Sequence, residues 1–324
     1  MRAPDFWSAP NPGLFARLLS PVGAIYGAVA ARRMSRAGYR CARPVICVGN
    51  FTAGGAGKTP TAIAIAHELM TMGEAPFFLS RGHGGDWGGA PLQVDAALHA
   101  AAMVGDEPML LARAAPVIVS ADKAAGAALA IASGASVIVM DDGLQNASLH
   151  KDFCIAVVDA GVGVGNGFCM PAGPLRAPMA AQWPHVQAVA LIGQGDRGEA
   201  VAAMADGRPV LRGALAAEAD AAQRMAGLRV CAFAGIGRPE KFYETLEACG
   251  AQIMSRTSFP DHHAFKADEL AALEKKARSA NAQLVTTQKD RVRLPQDFPV
   301  IELPVTLQWD CEALRRLLHG ALAC

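Results

Sequence analysis

The stretch VGNFTAGGAGKTPTAIAIAHEL, Val48 to Leu69, decides the fold. An apolar strand expected over residues 44–49 runs into a glycine-rich turn, and a helix is expected over 58–70. Phosphate binding needs inward backbone N–H groups, a helix N-terminus and a lysine that reaches the outer phosphates. Gly54, Gly55 and Gly57 permit the tight turn, and Ala56 and Pro60 complete the cradle. Lys58 supplies the charge, and the Thr59 hydroxyl is a ligand for Mg²⁺. Pro60 is tolerated because the first helical turn needs no amide there. The strict phosphate-loop pattern wants glycine five residues before Gly57, where this chain has Thr52. The alternative is a flexible strand–helix turn.

Short apolar segments recur on both sides of this motif, at 76–80, 116–120, 136–140, 153–159 and 186–192. Helices are expected between them, from 106 and over 122–133. Such alternation predicts an α/β fold: a P-loop NTPase-like, mostly parallel sheet with helices on both faces. Ligands then belong at the carboxyl ends of the strands, where RGHGG, DDGLQN and DAGVGVGNG fall. A polar, Ala-rich stretch over 195–227 reads as a junction. Beyond it a smaller α/β domain is expected, with strands at 229–235, 251–259 and 283–287 and helices at 239–249 and 266–280. The expected division is 1–205 and 206–324.

Three polar clusters are candidates for chemistry. SVIVMDDG ends an apolar strand in Asp141 and Asp142, suited to a metal or its water shell. If the chain stays extended, these two point to opposite sides and only one touches the metal. Surface acids capping a loop are the alternative. In GDEP, Asp106 either caps a helix or deprotonates an attacking hydroxyl. The pair in DHH, His262 and His263, suits a base or a phosphate contact better than a metal, since no third ligand is spaced nearby. Arg81, Arg113 and Arg176 can meet anionic groups, though each alone is an ordinary surface residue.

Composition sets outer limits. Of 324 residues 52% are hydrophobic, enough for a large core and against disorder. A net charge of +1 argues against a bulk nucleic-acid binder. The eight cysteines form no CxxC pair, which suits reduced, mostly buried thiols. Residues 1–43 carry seven Arg against one Asp and show no signal-peptide pattern. Leu14, Leu18, Val22, Ile25 and Val29 recur at helical spacing, but Arg17 and Pro21 break the run and argue against a spanning helix. This segment reads as an interfacial helix on an anionic membrane. The alternative is a helix packed on its own domain with a basic rim.

Taken together, VGNFTAGGAGKTP, SRGHGG, GDEPMLLA, DDGLQN, GNGFCMPAGPLRAP, AFAGIGRPEKFYETL, FPDHHAF and TTQKD resemble the tetraacyldisaccharide 4'-kinase (lipid A 4'-kinase) family, in the family's order across most of residues 45–290. That family's loop also lacks the early glycine. The resemblance implies ATP- and Mg²⁺-dependent transfer of the γ-phosphate to the 4'-hydroxyl of a tetraacylated disaccharide 1-phosphate. It implies Lys58 at the β/γ-phosphates, Thr59, Asp141 and Asp142 at the metal, and Glu107 as a further metal candidate. Asp106 matches the proposed base and His262 its support. Arg81, Asn166 and Arg176 are the substrate-side candidates. The implied location is peripheral, on the cytoplasmic face of the bacterial inner membrane, with no nucleic acid and no obligate protein partner. Asn146, His83 and Ala177 depart from the family's usual His, Tyr and Glu. Two rival readings are a soluble P-loop kinase of another acceptor and a nucleotide-switched binding protein.

Overall fold

The computed structural model describes residues 4–9 and 11–322; Arg2 and Cys324, counted above, lie outside them. Helix α1 (Leu14–Met34) precedes the first strand, β1 (Val45–Gly49). The chain continues through α2 (Lys58–Thr71), β2 (Pro76–Ser80), β3 (Leu92–Gln93), α3 (Ala101–Val104) and α4 (Asp106–Leu111). Next come β4 (Val117–Val119), α5 (Lys123–Ala132), β5 (Val137–Asp141), β6 (Phe153–Asp159) and α6 (Met179–Gln182). Then follow β7 (Ala188–Ile192), α7 (Asp196–Ala203), β8 (Val210–Ala217) and α8 (Ala219–Met225).

The chain next forms β9 (Arg229–Ala234), α9 (Pro239–Ala248), β10 (Gln252–Ser258), α10 (Ala267–Ser279), β11 (Gln283–Thr287), α11 (Gln288–Arg291) and β12 (Ile301–Leu303). It closes with β13 (Val305–Trp309) and α12 (Cys311–Leu322).

Nine strands form one sheet in the order β13-β8-β7-β6-β1-β5-β2-β4-β3, and four form another in the order β10-β9-β11-β12. The interior of the large sheet is parallel, and β3 and β13 close its edges antiparallel. Strand alternation splits the core in two. Val45 and Cys47 of β1 pack into one cluster, Ile46 and Val48 into the other. Both faces are therefore covered, as continuous apolar strands require.

The boundary expected at 205/206 does not coincide with the sheets. Residues 210–217 join the large sheet as β8, and β13 returns from the far side of the small sheet to pair with β8. The terminal helix α12 then buries Leu314, Leu318 and Ala321 beside the α2 core. Its Arg315 donates to Glu68 of α2 at 2.6 Å. The 195–227 stretch, expected as a junction, is structured as α7, β8 and α8.

Pro21 does not break α1. A proline there cannot donate to the Arg17 carbonyl four residues back. Ser20 Oγ donates to that carbonyl instead, at 2.7 Å. Ala16, Gly23 and Gly27 of α1 face inward. A Cβ at Gly23 would stand 2.7 Å from the Cys169 carbonyl oxygen, and one at Gly27 would stand 2.9 Å from Cys169 Sγ. Leu14, Phe15, Leu18, Val22 and Ile25 are instead more than half exposed. By length and composition alone α1 is long and apolar enough to cross a membrane.

Candidate active site

The phosphate loop follows β1, the strand between β5 and β6. Gly54 and Gly57 adopt φ of 110° and 92°, conformations closed to most side chains. Lys58 Nζ folds back to the Gly54 carbonyl at 3.3 Å and lies 3.8 Å from Asp142. Asn50 Nδ2 also donates to Gly54 O, at 3.2 Å, and Gln145 Nε2 donates to Asn50 O at 2.8 Å. Pro60 sits in the first turn of α2 and Ala56 is buried. At Thr52 the backbone carbonyl is used: it accepts from Arg176 Nε at 3.1 Å. A glycine is dispensable there because this contact needs no special side chain.

Asp141 and Asp142 separate at the end of β5, but not by simple alternation. Asp142 is left-handed, with φ of 53°, which turns it out of the strand. Arg176 clamps it with two parallel bonds of 2.9 Å. Burial would raise the Asp142 carboxyl, but Lys58 and Arg176 outweigh it and hold it below its ordinary value. Asp141 goes inward. Burial, then the charges of Glu107 and Asp142, push its carboxyl up to about 7 against the opposing pull of Lys58 and Lys123. Its Oδ1 is buried and meets no donor among the described residues.

That orphaned oxygen fits a cation better than it fits an empty core. No cluster of three or more His, Cys, Asp and Glu converges among the described residues. A magnesium ion shared between nucleotide phosphates and one or two protein oxygens needs no such cage.

Asp106 opens α4 without capping it. Gly105, at φ 96°, breaks the chain between α3 and α4, and a Cβ there would stand 2.7 Å from the His83 carbonyl oxygen. The freed carboxylate meets the small sheet's loops. Asp106 Oδ2 pairs with His262 Nδ1 at 2.9 Å, 156 residues away, and with Arg293 Nε at 3.2 Å. Burial raises the Asp106 carboxyl, yet the His262 bond and the charges of Arg293 and Lys289 together lower it. His262 is itself left-handed, at φ 58°, and its N–H donates to Gly235 O at 3.2 Å. His263 points elsewhere, to Glu269 at 2.8 Å.

Glu107 lies between the clusters: its charge acts on Asp141, and Lys289 Nζ is 3.7 Å from its Oε1. Arg81 is exposed after β2, near enough to Lys123 for its charge to depress that buried amine. Burial is the larger cause, and Lys123 falls to about 8. Arg113 pairs with Glu302 at 2.7 Å. Asn166 is committed to backbone: it donates to Phe6 O and Ala172 O and accepts from Phe168 N.

Sequence reasoning gave no role to Lys289, Asp290 or Arg293. The segment TTQKD holds the first two, and only its place among the family segments marked it. Asp290 is fully buried and fixes Gly235 N at 3.0 Å and Arg293 at 2.7 Å.

Residues 15–323 match the family model described as tetraacyldisaccharide-1-P 4'-kinase. A tetraacyldisaccharide 4'-kinase of Methylobacterium nodulans is 58% identical, covering 100% of this chain and 96% of the relative. One from Methylobacterium sp. (strain 4-46) is 60% identical, covering 99% of this chain and 98% of the relative. Among solved structures, LpxK from Aquifex aeolicus in complex with ATP superposes with a TM-score of 0.74. It is 22% identical, covers 95% of this chain and is itself covered fully, so it shows the shared fold.

Proposed function

This chain belongs to the tetraacyldisaccharide-1-P 4'-kinase family, and we propose that it transfers the γ-phosphate of ATP to the 4'-hydroxyl of a tetraacyldisaccharide 1-phosphate. The observation that carries the mechanism is the Asp106–His262 pair, linked through Glu107 to the acids beside the phosphate loop.

The loop N–H groups and Lys58 bind the phosphates and offset charge on the transferring group. Thr59, Asp141 and Asp142 are the residues that would hold Mg²⁺, which would supply further charge neutralisation at the phosphates when bound. Asp142 is already spoken for by Arg176, so Asp141 is the better direct ligand. Asp106 accepts the proton of the acceptor hydroxyl. The acceptor oxygen bonds to the γ-phosphorus while the bond from that phosphorus to the bridging oxygen breaks, and ADP leaves with the electron pair. A carboxylate held below its ordinary value is a weak base. That suffices, because a loose phosphoryl transfer asks for little nucleophile deprotonation before the transition state. Arg81 is the exposed cation positioned for an anionic acceptor group, while Arg176 acts through Asp142 and the loop.

The acceptor's lipid character agrees with α1. An apolar groove of about 630 Å³ runs between α1 and the 167–180 loop, lined by Pro21, Ala24, Phe168, Leu175 and Met179. Arg32 and Arg33 end the helix. We place α1 on the anionic, cytoplasmic surface of the inner membrane, its exposed leucine face in the lipid and its arginines at the headgroups.

The test is transfer from γ-labelled ATP to the tetraacylated disaccharide 1-phosphate, with Mg²⁺ and detergent. Wild type is expected to yield a 4'-phosphorylated lipid; Lys58→Ala and Asp106→Ala are expected to yield almost none. ATP hydrolysis without labelled lipid would refute the acceptor. In a sedimentation assay, Leu18→Glu with Ile25→Glu is expected to release the protein from anionic vesicles; retention would refute the membrane face.

A further inference from the structure

We infer that Lys289 is a positioning residue for phosphoryl transfer, which keeps Nε2 of His262 free of a hydrogen while Asp106 holds the hydrogen on Nδ1. The inference rests on the reading of Asp106 as base and His262 as its support. Lys289 Nζ lies 3.1 Å from His262 Nε2. An ammonium only donates, so Nε2 must accept. The ring hydrogen then sits on Nδ1, where it is donated to Asp106 Oδ2 at 2.9 Å. Arg293 Nε reaches the same oxygen at 3.2 Å. Both donors crowd Oδ2, and no hydrogen bond to Oδ1 is formed among the described residues. The free oxygen is thereby left to the acceptor hydroxyl.

Lys289 is well placed for this duty. Like Arg293, it touches both sides of the cleft: Asp261 at 3.5 Å on the small sheet's loop, Glu107 at 3.7 Å on α4. It rides on α11, whose start is capped by Thr287 accepting from Asp290 N. Asp290 in turn is buried and bonded to Gly235 N, the residue whose carbonyl holds the His262 backbone. The backbone at 262 is thus fixed, and the ring's setting is left to the groups that face it. These are Asp106, Lys289, Asp261 and, edge-on at 6.3 Å between centroids, His83. Asp106 only accepts and so holds a hydrogen on Nδ1 by itself; without Lys289 nothing described here opposes a second hydrogen on Nε2, and a ring with hydrogens on both nitrogens would draw charge from the Asp106 carboxylate.

The experiment uses the full chain in detergent with the lipid acceptor and ATP. It compares wild type, Lys289→Met, Lys289→Arg and Asp106→Asn, with histidine ¹⁵N spectra assigned through His262→Gln. Lys289→Met is expected to lose about tenfold or more in kcat with little change in the KM for ATP, a fraction of a full acid–base contribution. Lys289→Arg, also a pure donor, is expected to recover most of that loss. In wild type the His262 spectrum should show a bare Nε2 and a protonated Nδ1; in Lys289→Met the bare Nε2 signal should fade. Normal kcat in Lys289→Met, or lost kcat with an unchanged Nε2 signal, overturns the positioning role alone. Full turnover in Asp106→Asn overturns the base reading beneath it, a separate result.

Discussion

Asp106 and Asp141 carry the same carboxyl group and are both largely withdrawn from water, yet their surroundings drive them apart. Around Asp141 burial is reinforced by two neighbouring acids, and the carboxyl rises to about 7. Around Asp106 burial is overcome by three cationic or hydrogen-bonding partners from the other sheet, and the carboxyl falls. On the reading proposed above, the first is a group that would ionise fully when a cation arrives. The second stands ionised before any substrate arrives. Environments that separate like groups in this way assign different tasks to them.

The largest expected effect is kinetic. Asp106→Asn should lower kcat by about 10²–10⁴-fold while Mg²⁺ dependence stays put. Asp141→Asn should instead raise the Mg²⁺ concentration needed for half activity, by roughly 10–100-fold. Titrating Mg²⁺ against rate for both variants decides it; the same pattern in each would break the comparison.

Next in size is the cation that props up the Asp106 side. Arg293 is 6% exposed and bonded to the fully buried Asp290. Arg293→Met leaves that carboxylate without its charge partner and should cost about 3 kcal/mol of stability, measured by urea unfolding. Arg176→Met on the Asp142 side removes a more open pair and should cost about 1 kcal/mol. Equal losses would mean that the two acid clusters are equally built in.

The smallest effect is a slope. Asp141 is raised in the folded state, so between an ordinary value of 3.8 and about 7 the fold binds the proton more tightly than the unfolded chain does. Metal-free stability should therefore fall as pH rises through that window, by at most about 1.4 kcal/mol per pH unit. Asp106 is lowered, so its contribution is full above 3.8 and is lost only below it. Thermal unfolding of wild type and Asp141→Asn from pH 4.5 to 7.5 checks this. An unchanged slope in the variant would assign the proton elsewhere.

How legible each part was follows from how local its cause is. The phosphate loop, β1 and α2 were readable because turn, charge and helix start lie within one short segment. The parallel strands were readable as apolar runs. The fate of the C-terminus was not: β13 and α12 pair with β8 and α2 across the intervening small sheet, and no local pattern announces a return. Asp106 and His262 were residue types in ambiguous settings until the family resemblance joined them. Lys289 and Arg293 stayed hidden because their value lies in contacts to residues more than 20 positions away. The helix across Pro21 was readable from its spacing, but the serine hydroxyl one residue earlier that meets the carbonyl is a side-chain detail that hydropathy does not record.

The loop that receives α1 is also the loop that ends in Arg176. Cys169 meets the glycine face of the helix, Leu175 bridges to Thr52, and Arg176 grips both Thr52 O and Asp142. A helix lying on a bilayer would thus share one short stretch of chain with the nucleotide pocket. The enzyme's height and tilt over the lipid plane would be set from inside the catalytic core. Encounter with the acceptor would become a search in two dimensions, with the pocket held at a constant elevation above the headgroups.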